Sequence, residues 1–224
     1  MTAAEVGQPA VEPASRRVAG PGRAGLRLVR LHAASRHVLT CLVVLAACAI
    51  ALRTALHWLP RSGVYARQIP LTIEAGAAAV IGVTTRSPFG EPERATGRWL
   101  PWLRLAASVA LTGIAVGALA VGTAAAHLAG GVAGLARDVA GFTGIALLTA
   151  AVLGGGLAWV GPIAYLAVTL PALAGNWTTP WIWPARPPHD RGAAICAALV
   201  FTAGVAVAAA RGARDQAAGE RGPG

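Results

Sequence analysis

Residues 105–127 read LAASVALTGIAVGALAVGTAAAH, the clearest apolar run in the chain. Its 23 residues include no Asp, Glu, Lys or Arg. A helix of about 20 apolar residues crosses the hydrocarbon core of a bilayer, so this run predicts a transmembrane span. Within it, Gly113 and Gly117 form a G-x-x-x-G motif, which is typical of close packing between helices but frequent by chance in a chain with 28 glycines.

Five further apolar stretches flank this run, at 37–59, 70–85, 135–153, 157–173 and 192–210. The fourth and fifth spans are short and joined only by three glycines, so they form either two full spans or one re-entrant hairpin. Charged residues make up 12% of the chain, against about 25% in soluble domains. The sequence therefore predicts an all-α, polytopic membrane protein with about six transmembrane helices.

The remaining segments divide by composition. Residues 1–15 are small, aperiodic and proline-containing, which indicates a disordered tail. Residues 16–36 are basic with helical spacing of the arginines, which predicts an amphipathic juxtamembrane helix or, equally well, a basic flank that only sets orientation. The six-span domain then covers 37–210, and residues 211–224 form a polar tail. This layout leaves no room for a nucleotide-binding or soluble catalytic domain.

Arginine distribution predicts the orientation. The chain has 19 arginines and no lysine. Six spans place both termini, the 86–104 loop and the turn at Gly154 on one side, together with thirteen of the arginines. Cytoplasmic segments carry the excess of positive charge. We therefore expect both termini and the 86–104 loop in the cytoplasm, the 175–191 loop outside, and the protein in the plasma membrane as a multi-pass protein.

Motifs for soluble chemistry are missing from the sequence. We find no G-x-x-x-x-G-K-[ST], H-E-x-x-H, C-x-x-C or G-x-S-x-G pattern, and no histidine or carboxylate cluster with metal spacing. Cys41, Cys48 and Cys196 lie in apolar stretches, where cysteine behaves as a small hydrophobe. The arginines lie between apolar runs, not on a basic face with interleaved aromatics. We expect no catalysis, no cofactor, no metal and no nucleic-acid partner.

Ionisable residues inside spans are the first functional candidates, because each is costly in a bilayer unless it is paired. Arg53 and Glu74 fall at similar depths near the outer ends of the first two spans, and we expect them to form an intramembrane ion pair. A structural pair is the favoured interpretation, and a proton-coupling carboxylate is the alternative. Arg137 and Asp138, at the outer start of the fourth span, predict an interfacial pair.

The loop RSPFGEPERATGR, residues 86–98, is the second candidate. Phe89 offers an apolar side chain among charges, and Glu91 and Glu93 bring acid where orientation favours arginine. Such a segment suits a short helix that lies along the membrane and docks onto a partner. An ordinary hydrophilic loop explains it equally well.

Three stretches give the chain a family resemblance: RSPFGEPERATGRWLPWLRL, RDVAGFTGIALL followed by LAWVGPIAYL, and WIWPARP before the last span. Together they resemble small actinobacterial-type multi-pass membrane proteins taken to be permease subunits of type-2 ABC exporters. The resemblance implies a cytoplasmic elbow helix, six spans, a coupling helix between the second and third, and an external re-entrant element between the fifth and sixth. By position, Phe89, Glu91, Glu93 and Arg94 would form the coupling segment that meets a separate ATP-binding subunit.

The leading hypothesis from the sequence is a permease half that works as a homodimer or with a paralogue and binds its ATPase through residues 86–98. One rival is a membrane protein that anchors or protects a partner complex without transport. Another is a gradient-driven transporter that uses Glu74.

Overall fold

The computed structural model describes residues 38–58, 65–84, 100–124, 130–175, 177 and 179–211. Within those ranges the chain forms helices and no strand, which confirms the all-α prediction. The six long helices of these ranges are α1 (Val38–Trp58), α2 (Tyr65–Thr84), α3 (Leu100–Thr123), α4 (Gly131–Leu153), α5 (Val160–Ala174) and α6 (Arg191–Arg211).

Five helical segments of the described chain are long and apolar enough to cross a membrane: Leu39–Trp58, Pro101–Thr123, Gly131–Leu153, Gly155–Ala174 and Arg191–Arg211. They make the chain compatible with the predicted polytopic membrane protein. The fourth and fifth predicted spans become two segments of span length, which favours full spans over one re-entrant hairpin. The remaining helix, α2, carries Arg67, Gln68 and Glu74 and is not among the five.

Helix α4 lies at the centre of the bundle. It contacts α2, α3, α5 and α6. In its apolar 18-residue stretch 67% is buried, against 33% or less in the corresponding stretches of the other four candidate spans. It packs most closely against α6, where a Cβ placed on Gly204 would collide with the Gly144 carbonyl oxygen. Only glycine permits this approach. A Cβ placed on Gly113 or Gly117 would meet no atom of the described chain within 4 Å, so the expected motif does not make this contact.

The turn after α4 depends on Gly154. Its φ of 96° is a conformation that L side chains rarely adopt, and its N–H donates to the Ala150 carbonyl at 3.0 Å. A single 3-10 turn, Gly155–Leu157, then leads directly into α5. Helices α4 and α5 are therefore joined by a very short connection.

Helix α2 begins at Tyr65, five residues before the predicted start at Pro70. Pro70 is the sixth residue of this helix, beyond the first turn, so the helix continues through it at the loss of the N–H that would bond the Ala66 carbonyl. The longer helix puts Glu74 nine residues, or ~13 Å, from its beginning, instead of four residues after Pro70. One face of α2 is buried against α1, α4 and α5, and Glu74 is among its buried residues.

Candidate functional site

The chain between α5 and α6 folds back onto the helices. We call residues 179–190 the strap. Ile182 is fully buried and Trp183 is 3% exposed. A short 3-10 helix, Trp183–Ala185, follows directly after Ile182. The strap therefore forms part of the core.

The Trp183 side chain packs against α4 and α5. A Cβ on Gly141 of α4 would lie 2.6 Å from the indole ring, so the ring rests directly on the helix backbone. Tyr165 of α5 stacks on the other side, with ring centroids 4.5 Å apart and planes 22° apart. The Tyr165 hydroxyl donates to the Trp181 carbonyl at 2.6 Å. The indole N–H of Trp183 is buried and has no hydrogen-bond partner.

Two arginines bind the backbone of the strap from the bundle side. Arg137 of α4 donates to the Pro187 carbonyl at 2.8 Å and to the Arg186 carbonyl at 3.4 Å, and Arg67 of α2 donates to the Arg186 carbonyl at 3.4 Å. Arg137 also pairs with Asp138 at 2.9 Å, and these two side chains are only 5% and 10% exposed. The predicted Arg137–Asp138 pair therefore forms, and it lies at the junction of strap and bundle.

The last residues of the strap are also tied to α6. The Asp190 carboxylate accepts the Ala193 N–H at 2.8 Å, which caps the helix, and accepts from the Arg186 guanidinium Nε at 3.1 Å. These hydrogen bonds hold the pKa of Asp190 below its ordinary value, and the bond from the Ala193 N–H has the larger effect. Arg186 is thus engaged through its side chain with Asp190 and through its carbonyl with the bundle.

Beneath the strap lies a cavity of about 40 Å³, larger than the ~10–15 Å³ that one water needs. Its charged lining residues come from α2, α4 and the strap: Arg67, Glu74, Arg137, Asp138 and Arg186. Glu74 is 2% exposed and its Oε2 has no hydrogen-bond partner. Arg137 and Asp138 are the charges that act on it. A buried carboxyl oxygen without a partner beside a water-sized cavity is suited to hold a proton or a small polar guest.

The expected ion pair between Arg53 and Glu74 is not seen in the described part of the chain. No ion pair of the described residues joins Glu74 to Arg53, and Arg53 is exposed on α1. The prediction placed the two residues by depth alone, but α2 presents Glu74 to α4. The predicted coupling residues Phe89, Glu91, Glu93 and Arg94 lie outside the described residues.

Sequence reasoning missed Arg67 and Arg186 as lining residues and the seating of Trp183. The available signal was the concentration of Trp, Pro and Arg between two apolar runs, WIWPARP, which is unusual for a loop that only connects helices. In the described ranges, no three His, Cys, Asp or Glu side chains group closely enough to hold a metal ion. Comparison of the chain with protein-family models, curated proteins and solved structures found no match.

Proposed function

We propose that this chain is a membrane transport protein and that Glu74, in the cavity beneath the strap, is its proton-binding group. One observation carries the proposal: a carboxyl that is 2% exposed leaves one oxygen without a partner at a cavity large enough for water. An acidic residue at membrane depth costs about 2.5–3.5 kcal/mol, and such residues mark ion and proton pathways.

The charges around the cavity fit a group that gains and loses a proton. The Asp138 carboxylate repels an ionised Glu74, and Arg137, which is already paired with Asp138, attracts it. A protonated Glu74 needs no counter-charge. Uptake or release of a proton by Glu74 therefore changes the charge of this cluster by one unit, as the proton-binding group of a transporter does.

Proton flux tests the proposal. The protein is reconstituted into liposomes that contain a pH-sensitive dye, and a valinomycin potassium potential draws protons inward. We expect wild-type protein to acidify the lumen and Glu74→Gln to slow acidification by at least about tenfold, or ~1.4 kcal/mol of barrier. Arg53→Gln is the matched control, because it removes a charge at an exposed position of α1 and should leave the rate unchanged. Equal rates for wild type and Glu74→Gln would overturn the proposal.

A second candidate is the ATP-driven permease, favoured by the chemistry of the 86–98 loop and by the sequence resemblance. In that version a separate ATP-binding subunit docks at Phe89, Glu91, Glu93 and Arg94, and the chain works as a homodimer or with a paralogue. An apolar side chain flanked by carboxylates suits a basic groove.

Affinity purification separates the two candidates. Membranes that express tagged wild-type protein should yield the ATPase if the permease version holds, and Phe89→Ala with Glu91→Arg should reduce its recovery while insertion is unchanged. Recovery without proton flux would favour the permease. Neither flux nor an ATPase would favour a protein that anchors a partner complex.

A further inference from the structure

We infer that the strap is a gate that limits access to the buried Glu74 side chain, held in place by Arg67 and Arg137. The inference rests on the proposed function, because it concerns access to the same site. Pro184, Arg186 and Pro188 of the strap line the cavity opposite the residues of α2 and α4. Lifting the strap from α4 removes one wall and opens Glu74 to the side of the membrane on which the strap lies.

Two sets of contacts hold the strap near its C-terminal end, at residues 186–190. Against the bundle it is held by three arginine hydrogen bonds to two backbone carbonyls, at 2.8, 3.4 and 3.4 Å. Against α6 it is held by Asp190, which caps that helix and binds Arg186. The Asp190 bonds stay within the strap and α6 when the strap leaves α4. Asp190 is therefore the hinge, and the bonds that Arg67 and Arg137 donate to the Arg186 and Pro187 carbonyls are the latch.

Two buried polar atoms favour an open state. The Glu74 Oε2 and the Trp183 Nε1 both lack a partner in the closed arrangement. An unsatisfied buried polar atom is destabilising, and opening gives both atoms access to water. Opening is opposed because the Trp183 ring would lose its packing against Gly141 and Tyr165. The closed strap is thus a balance of apolar packing and arginine bonds against two unmet hydrogen bonds, as a gate requires.

A disulfide latch tests the gate. A Cβ on Gly134 of α4 would lie 3.4 Å from the Pro188 Cβ, close to the ~3.5–4.5 Å of natural disulfides. We therefore place Gly134→Cys and Pro188→Cys in full-length protein from which Cys41, Cys48 and Cys196 have been changed to alanine. Oxidation joins strap to α4, and a reductant releases it.

Chemical access to Glu74 is the readout. A water-soluble carbodiimide with a small amine converts an accessible carboxyl to an amide. Trypsin then releases residues 68–86, whose one acidic residue is Glu74, for mass measurement. We expect modification in the oxidised protein to be at least about tenfold lower than in the reduced protein, as for any site reached by local opening. The matched control is Pro180→Cys with Gly192→Cys, 3.6 Å between the Cβ positions, which ties the strap to α6 and should not protect Glu74.

Equal modification of the oxidised and reduced latch variant would overturn the gate, as would failure of the disulfide to form or a reduced protein that is never modified. None of these readouts uses proton flux. Protection of Glu74 in a protein without flux would therefore refute the proposed function and leave the gate standing.

Discussion

The buried pair of Arg137 and Asp138 allows the sharpest energetic prediction. Three variants separate its parts: Arg137→Met, Asp138→Leu and the double variant. Each replacement is apolar and close in length to the side chain that it replaces. The pair is 2.9 Å long, and the two side chains are 5% and 10% exposed, so solvent screens it little.

The structure gives the expected magnitudes. Asp138→Leu leaves a buried guanidinium with backbone carbonyls as its remaining partners, which should cost about 3–5 kcal/mol of unfolding free energy. Arg137→Met leaves a buried carboxylate and should cost ~3 kcal/mol or more, the lower end applying if Asp138 takes up a proton. The double variant removes both charges and loses mainly the 2.8 Å bond to Pro187, about 1–3 kcal/mol. The coupling energy is therefore at least ~3 kcal/mol.

The unfolding free energies of all four proteins are measured in mixed micelles by titration with a denaturing detergent, followed by tryptophan fluorescence. A double variant more stable than either single variant is the expected result. Losses that simply add would show that the two charges do not act on one another and would refute the buried pair.

Three further results are expected. Gly204→Leu should destabilise the bundle by ~3 kcal/mol or more because the side chain meets the Gly144 backbone, whereas Gly113→Leu should change stability by less than ~0.5 kcal/mol, both measured by detergent denaturation. Folding lowers the pKa of Asp190, so its negative charge stabilises the folded protein above about pH 3.8, and this stabilisation is lost as the pH falls through the lower pKa of the folded state. In an acid titration, the stability advantage of wild type over Asp190→Asn should therefore shrink only in that pH range. An advantage that stays constant with pH would contradict the prediction. Arg53→Gln and Glu74→Gln should have additive effects on stability, within ~0.5 kcal/mol, since the two side chains form no ion pair; a large coupling energy would restore the sequence-based pairing.

The fold was largely predictable because a bilayer demands long apolar helices, and residues 105–127 and 192–210 have no other interpretation. The helix boundaries were less predictable: Pro70 was expected to begin α2, but the helix runs through it from Tyr65, and the added residues include Arg67. The Gly113–Gly117 motif was misleading because a repeat of small residues shows where helices can approach, and the partner surface decides whether they do.

The site was predictable only in part. Glu74 stood out because charge is rare at membrane depth. Its surroundings did not, because depth along a helix says nothing about which face is turned to which neighbour. The strap could not be placed at all from sequence, since its contacts with α2 and α4 join Arg186 and Pro187 to residues 49 or more positions away.

The central claim is that the Glu74 cavity opens at the outer face of a membrane protein, under the strap. A single cysteine at the exposed strap residue His189, in protein without its native cysteines, tests this claim through labelling of intact cells by a membrane-impermeant maleimide. The arginine distribution predicts full labelling before lysis. Labelling that appears only after the cells are opened would place the strap in the cytoplasm and contradict an outward-opening cavity.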